Sequence, residues 1–346
     1  MSEQFIANRR QLLAGAGLAA LALPVGLSSA AMAAATGPKR KLIWVPQALG
    51  DWDTALQVGA RDFCEMAGWE YQRIGNPNYS VENHVEQVNN AIAAKPDIIL
   101  TQLESPGLVP AFQRGIGEGV TMVIINQGRD DDAKKLGLGI IGQSEYAAGI
   151  VNGYQAGVFG EKLTGKKKGV VVLGNGNPGS IAIDQRQSGA EQGVKNYNSE
   201  HGTTFTFEAF PDGEFAELTE SIQKWSAKIN EKGDDLVAAI ATGNPTPIYQ
   251  AMQELGMKPG QIACGSHDIP PSHQKAIADG WVQWGIDQQM FYQGFYGAAA
   301  GYGARDTLHP YPGIATGGEL ILAKDLPMIA KRSDIWLGKA KAYGFM

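Results

Sequence analysis

From residue 41 onward, short apolar runs alternate with longer stretches in which apolar side chains recur every three or four positions. Lys41 to Pro46 (KLIWVP) is the first run, and a Gly-Asp-Trp-Asp turn follows it. From Thr54 to Gly68, Ala55, Val58, Phe63 and Met66 fall at helical spacing, and Gly68 can end the helix. Trp69 to Ile74 predicts a strand, Val81 to Ala94 an amphipathic helix stopped by Pro96, and Asp97 to Leu103 (DIILTQL) a buried strand. Leu108 to Glu118 predicts a helix and Val120 to Asn126 (VTMVIIN) the next strand. Strands that are apolar on both faces and separated by helices belong to a parallel sheet covered on both sides.

The alternation then begins again. Ile140 to Gln143 leads into a Gly/Ala-rich helix running through Glu161, followed by strand Gly169 to Leu173, helix Asp184 to Tyr197 and strand Phe205 to Phe210. Helix Phe215 to Asn230, strand Leu236 to Thr242, helix Pro247 to Leu255, strand Gln261 to Gly265 and helix Ser272 to Ala278 come next. Val282 to Ile286 is strand-like, and Met290 to Arg305 is a helix with aromatic spacing. The pattern predicts an α/β protein made of two doubly wound parallel-sheet halves. In such sheets ligands bind beyond the carboxyl ends of the strands, so two facing sheets create a cleft between lobes.

Residues 1–35 are of another kind. Asn8-Arg9-Arg10-Gln11-Leu12-Leu13 opens an uncharged Ala/Leu/Gly run reaching about Met32, and Ala31-Met32-Ala33 and Ala33-Ala34-Ala35 offer A-x-A cleavage patterns. The twin arginine is similar to a Tat-type export signal, and the run is too short and Pro-interrupted to span a bilayer well. The expectation is an exported, periplasmic protein without stable membrane insertion once the signal is removed. A formal charge of −6 argues against nucleic acid as a partner. The basic triplet Lys166-Lys167-Lys168 sits beside Gly165 and Gly169 and reads as a solvated turn. The two cysteines, Cys64 and Cys264, read as separate buried thiols.

The residues expected at strand ends carry the candidate chemistry. They are Asp51, Trp52 and Asp53, then Asn126, Gln127 and Gln143 in the first half. Asn175, Asp212 with Phe215, Asn244, Asp268 and Gln288 hold the equivalent places in the second. Amides and carboxylates present paired donors and acceptors to vicinal hydroxyls, and an aromatic face covers the C–H side of a sugar ring. Competing motifs are weak. Gly174 to Gly179 fits G-x-G-x-x-G, but Pro178 stands where a helix should form, and no acidic residue ends a strand at the expected distance. Ser266-His267-Asp268 is consecutive and cannot converge as a catalytic triad, and His267 and His273 lack a third ligand at metal spacing. No catalytic constellation, metal site or cofactor is expected, and a binding protein is favoured over an enzyme.

Three segments resemble the periplasmic solute-binding proteins of the ribose/galactose type, a likeness that spans about Lys41 to Lys324. They are Ile240-Ala241-Thr242-Gly243-Asn244, Ala263 to Asp268 (ACGSHD), and Asp279 to Gln289 (DGWVQWGIDQQ) with Tyr292-Gln293-Gly294. The resemblance implies that Asn244, Asp268 and Gln288 hold sugar hydroxyls, that Trp52 stacks on the ring and that Phe215 covers it from the other lobe. It implies crossovers near Gln143, Gln288 and Thr316 that form a three-strand hinge. The N-terminal lobe would then comprise residues 40–143 and 288–316, and the C-terminal lobe residues 144–287 and 317–346. The family's Asp-Arg pair is here Asn126-Gln127, and Asp184 stands where a ligand-binding arginine is expected, with Arg186 two residues on. This more acidic, amide-rich set implies a small carbohydrate or polyol other than ribose or galactose. The implied partner is the membrane permease of an ABC importer, and a monomer is expected. A receptor for chemotaxis or quorum sensing uses the same fold and is the alternative.

Overall fold

The computed structural model describes residues 39–78, 80–213 and 217–346, with the side chain of Asp51 set aside. The candidate export signal lies outside the described residues, as does Phe215. No helix among the described residues is long and apolar enough to cross a membrane.

The first sheet takes β1 (Lys41–Val45), β2 (Glu70–Arg73), β3 (Ile98–Leu103), β4 (Thr121–Gly128), β5 (Ile140–Gln143) and β11 (Ile314–Thr316), in the order β11-β5-β4-β3-β1-β2. The second takes β6 (Lys168–Asn175), β7 (Thr204–Pro211), β8 (Leu236–Ala241), β9 (Ala263–His267), β10 (Trp284–Asp287) and β12 (Glu319–Leu322), in the order β12-β10-β9-β8-β6-β7. Every pairing is parallel except β10 with β12. Central strands β3 and β8 are buried at every residue, β8 with an unbroken apolar run and β3 with Thr101 and Gln102 among its apolar residues, whereas edge strand β2 alternates between exposed and half-buried positions.

Helices α1 (Thr54–Ala67), α2 (Val81–Ala93), α3 (Val109–Gly117) and α4 (Asp130–Leu136) follow strands of the first sheet. Helices α5 (Glu145–Thr164), α6 (Ile181–His201), α7 (Leu218–Lys232), α8 (Thr246–Glu254) and α9 (Pro271–Ala278) belong to the second. Each sheet has its own apolar clusters, such as Ile43, Phe112 and Ile124 in the first and Val172, Trp225 and Ile248 in the second. Both cysteines are free and buried, Cys64 in α1 and Cys264 in β9. Burial pushes the Cys64 thiol up to about 12.

Periodicity alone reads α10 (Met290–Asp306) as the end of the second half; the structure packs it instead against α1. A Cβ on Gly59 would lie 2.0 Å from the Phe291 carbonyl oxygen, and one on Gly294 would lie 2.0 Å from that of Leu56. Only glycine allows the two helix backbones to approach so closely, and this contact returns the chain to the first sheet. The strands β11 and β12 then separate again, one to each sheet, with Gly317 and Gly318 between them.

The last helix, α11 (Leu326–Ala342), follows β12. Its start is fixed to the second sheet's layer: Leu326 packs in that core, and Gln274 of α9 donates to the Ser333 hydroxyl at 2.9 Å. Its end lies on the first layer, where Lys339 and Tyr343 both bond Asp62 of α1 and Phe345 meets the Tyr71 ring with centroids 5.6 Å apart.

Candidate ligand-binding site

A cavity of about 870 Å³ is lined by Trp52, after β1 of one sheet, and by Asn244, Asp268 and Gln288, after β8, β9 and β10 of the other. Nearby backbone is held in an uncommon conformation. Asn126 (φ +69°), Asp268 (φ +64°) and Gln289 (φ +54°) lie in the left-handed region without being glycine. Such conformations persist where surrounding contacts over-determine them, and they concentrate at ligand sites.

Gln288 is the centre of the polar network. Its side-chain amide donates to Asp268 Oδ1 at 2.5 Å, and its Oε1 accepts a long 3.5 Å contact from Asn126 Nδ2. Asn126 donates in turn to Gln293 Oε1 at 3.0 Å, and Gln293 Nε2 reaches the Gln288 carbonyl at 3.2 Å and Thr316 Oγ1 at 3.1 Å. Strand-end groups of both sheets are thereby joined through the chain crossing from β10 to α10.

His273 sits under the second sheet's pair, with Nε2 3.0 Å from Asn244 Oδ1 and Nδ1 3.2 Å from the Asp268 carbonyl oxygen. Burial lowers its pKa, and the neutral ring carries a single N–H, which can be donated to only one of these two oxygens. Asn244 also accepts from the amide of Thr246, the first residue of α8, at 2.9 Å.

Three amides gather at the ends of β1, β3 and β4. Gln127 donates to Gln47 Oε1 at 2.6 Å, and Gln102 Oε1 accepts from the Gln47 backbone at 3.0 Å. Gln102 Nε2 and Gln127 Oε1 are buried without a hydrogen-bond partner, one donor and one acceptor. Such groups cost about 1–3 kcal/mol each when left unmade.

Other predicted residues hold the walls. Asp53 is fully buried and accepts from Trp44 Nε1 (2.6 Å), Gln57 Nε2 (3.2 Å) and Arg73 (2.7 Å), so its carboxylate is turned into the first layer. Burial raises its pKa against the opposing pull of Arg73. Asp184 accepts from the Gly179 amide at 3.1 Å and from Asn175 Nδ2 at 3.1 Å, closing the loop after β6. Gln143 donates to Glu145 at 2.7 Å and accepts from the Gly318 amide at 3.1 Å, which ties the β5–α5 crossing to the β11–β12 crossing. Glu145 also accepts from Arg186 at 2.6 Å, and Arg186 donates to the Thr242 carbonyl at 2.6 Å.

Trp52, Asn244, Asp268 and Gln288 therefore share the cavity, Asn126 is bonded to that set, and Asp53 and Asp184 are not among its lining residues. Sequence reasoning did not single out as ligand contacts His273, which lines the cavity, or Gln47, Gln102 and Gln293, which bond to Gln127, to Gln47 and to Asn126. Gln102 could have been noticed as the polar residue within the DIILTQL run. In the sequence His273 stands out only as a candidate metal ligand.

The family model described as periplasmic binding protein domain matches residues 42–306. The xylose/arabinose-binding protein XylF of Sulfolobus acidocaldarius is 25% identical over 311 residues, covering 83% of this chain and 71% of that protein. Among solved structures, an ABC transporter solute-binding protein of Agrobacterium vitis bound to α-D-tagatopyranose is 22% identical with a TM-score of 0.71 (85% of this chain, 98% of that one). A carbohydrate transporter protein of Acidothermus cellulolyticus in complex with myo-inositol is 20% identical with a TM-score of 0.68, covering 86% and 99%. At these identities the structural likeness shows a shared fold.

Proposed function

Since this chain belongs to the periplasmic binding protein domain family, we propose that it is the substrate-binding component of an ABC-type sugar importer, capturing a small carbohydrate or polyol between its lobes. The observation that carries the reading is the convergence of Asn244, Asp268 and Gln288 with the indole of Trp52 on one cavity bordered by strand ends of both sheets. Acceptors and amide donors meet the hydroxyls, and the ring of Trp52 takes the apolar face. The relatives named above are described as binding xylose, arabinose, tagatose and inositol, all small polyhydroxylated molecules.

Residues 40–143 with 288–316, and 144–287 with 317–346, act as the two closing bodies. Closure is a rotation about the three crossings that brings Asn126, Gln127 and Trp52 toward Asn244 and Asp268 and removes the ligand from water. Gln143 and Gln288 sit at the pivot, and Asp184 and Asp53 brace the walls that move. Asp51 and Phe215 are proposed as further contacts, Phe215 covering the ring from the second lobe. The closed form presents a surface to a membrane permease; the protein acts outside the cytoplasm, as a monomer, and releases its ligand unaltered.

The test is a thermal-shift screen of the purified protein against D-xylose, L-arabinose, D-galactose, D-tagatose, myo-inositol and related polyols. A ligand present at 100 Kd adds about 2.7 kcal/mol to the folded state and must raise the melting temperature. A shift confined to one sugar class supports the reading, and a folded, ligand-free sample that responds to no carbohydrate refutes it.

A further inference from the structure

The family match stops at residue 306, yet one wall of the cavity is built from residues beyond it. Met328, Ile335 and Trp336 of α11 line the same space as Asp268 and Gln288, together with Tyr292 of α10. Three of these apolar side chains are unusually open for their size: Tyr292 is 46% exposed, Met328 51% and Ile335 56%. They line the cavity together with Lys331, Arg332 and Lys339 of α11. An exposed apolar patch continuous with a small-molecule cavity marks a place for ligand surface. The helix is firmly held there. Arg332 is bound to Asp287 at 2.5 Å and reaches Glu319 at 3.5 Å, and the Asp62 bonds of Lys339 and Tyr343 secure its far end. A cavity of about 870 Å³ also lies near the upper end of the ~300–1,000 Å³ range of small-molecule sites, more than a single sugar ring fills.

We propose that α11 makes this a two-part site, whose ligand is a sugar carrying an apolar aglycone, an aryl or alkyl glycoside. The hydroxyls bind Asn244, Asp268 and Gln288, and the aglycone lies against Trp336, Met328, Ile335 and Tyr292. This rests on the sugar-binding reading above and specifies what the sugar carries. An aromatic aglycone would meet the indole of Trp336 edge-to-face or offset-stacked, the arrangements aromatic pairs prefer.

The test is calorimetric titration of the whole protein with D-xylose, D-galactose and D-glucose and with the phenyl β-glycoside of each. For at least one pair, the glycoside binds tenfold or more tightly than its parent sugar. Trp336→Ala removes that advantage and leaves the parent sugar within about twofold. Ile335→Ser, at an exposed position that should not disturb folding, reduces the same advantage in part. A protein that binds a free sugar but no glycoside more tightly overturns the apolar subsite and leaves the sugar reading in place. Equal weakening of sugar and glycoside by both variants also overturns it, as does unchanged binding with impaired uptake, which would assign the patch to a partner protein. Failure of every sugar and every glycoside to bind removes both readings together.

Discussion

Asp268 illustrates how a single residue combines local strain with chemistry. Its backbone amide bonds the Ile286 carbonyl at 2.8 Å, extending the pairing of β9 with β10, its side chain accepts from the Gln288 amide, and its φ of +64° ends the extended run of β9. Aspartate tolerates that conformation better than most residues, so the position is compatible with the fold and also useful to a ligand. The pair formed by Arg186 and Glu145 has a different role. Both side chains are only 6% exposed, and the pair joins the first turn of α5 to the second turn of α6. Arg186→Ala would leave the Glu145 carboxylate buried beside Gln143 without its cation. We expect a loss of about 3–5 kcal/mol of folding stability, measured by urea unfolding; a loss below 1 kcal/mol would mean that Glu145 is rehydrated or protonated at little cost.

At the scale of elements, the sequence was most legible where side-chain period and termination signals coincide. The α1 pattern ends at Gly68, which adopts φ +70° and caps the helix as its position implied. The apolar runs DIILTQL and VTMVIIN became the buried strands β3 and β4. Three kinds of element were not readable. Helix α4, Asp-Asp-Asp-Ala-Lys-Lys-Leu, has too few apolar residues to show a period, and it is supported instead by acids in its first turn and lysines in its last. Strands β11 and β12 have only 3 and 4 residues, too short for a pattern. Helix α11 is long, but its apolar residues serve a core on one face and a cavity on another, which blurs the period. Of the site, the strand-end amides were legible because loop positions after buried strands are where polar side chains converge. The turning of Asp53 inward was not, because it depends on Arg73 from the neighbouring strand. The crossing β11–β12 gives the element-scale prediction. Gly317 has φ +71°, and a Cβ there would lie 2.7 Å from both Cα and the carbonyl oxygen of Gln288. Gly317→Val should cost roughly 2 kcal/mol or more in chemical unfolding and weaken ligand binding through Gln288. A variant within 0.5 kcal/mol of the parent would show that this crossing yields easily.

For the whole molecule, two buried imidazoles contribute to the loss of stability in acid, opposed by the buried carboxyls of Asp53 and Asp287, whose pKa values burial raises. Burial holds His267 well below its ordinary value of 6.5, with Arg186 acting in the same direction, and lowers His273 as well. Between the folded and unfolded values the unfolded chain binds more protons, so acid favours unfolding. The contribution is complete above about pH 6.5 and is lost as pH falls below it. Carboxylates held below their ordinary range, such as Glu208 and Asp132, lose their contributions only at lower pH. Urea unfolding from pH 7.5 to 5 should therefore show declining stability, and His267→Asn, which keeps a polar atom near the Nδ1 position, should make the decline shallower. Parallel curves for the two proteins would exclude His267 as a source.

The two-lobed arrangement, the three crossings and the polar convergence all lead to one claim, that the cleft closes on a sugar held by Asp268. Isothermal titration of the ligand-free protein with the sugar giving the largest thermal shift, alongside Asp268→Ala, tests it most directly. The account predicts a saturable single site in the parent protein and an affinity at least tenfold weaker in the variant, about 1.4 kcal/mol or more, with folding retained. Equal affinity in the two proteins, or no binding of any sugar by the folded parent, would contradict it.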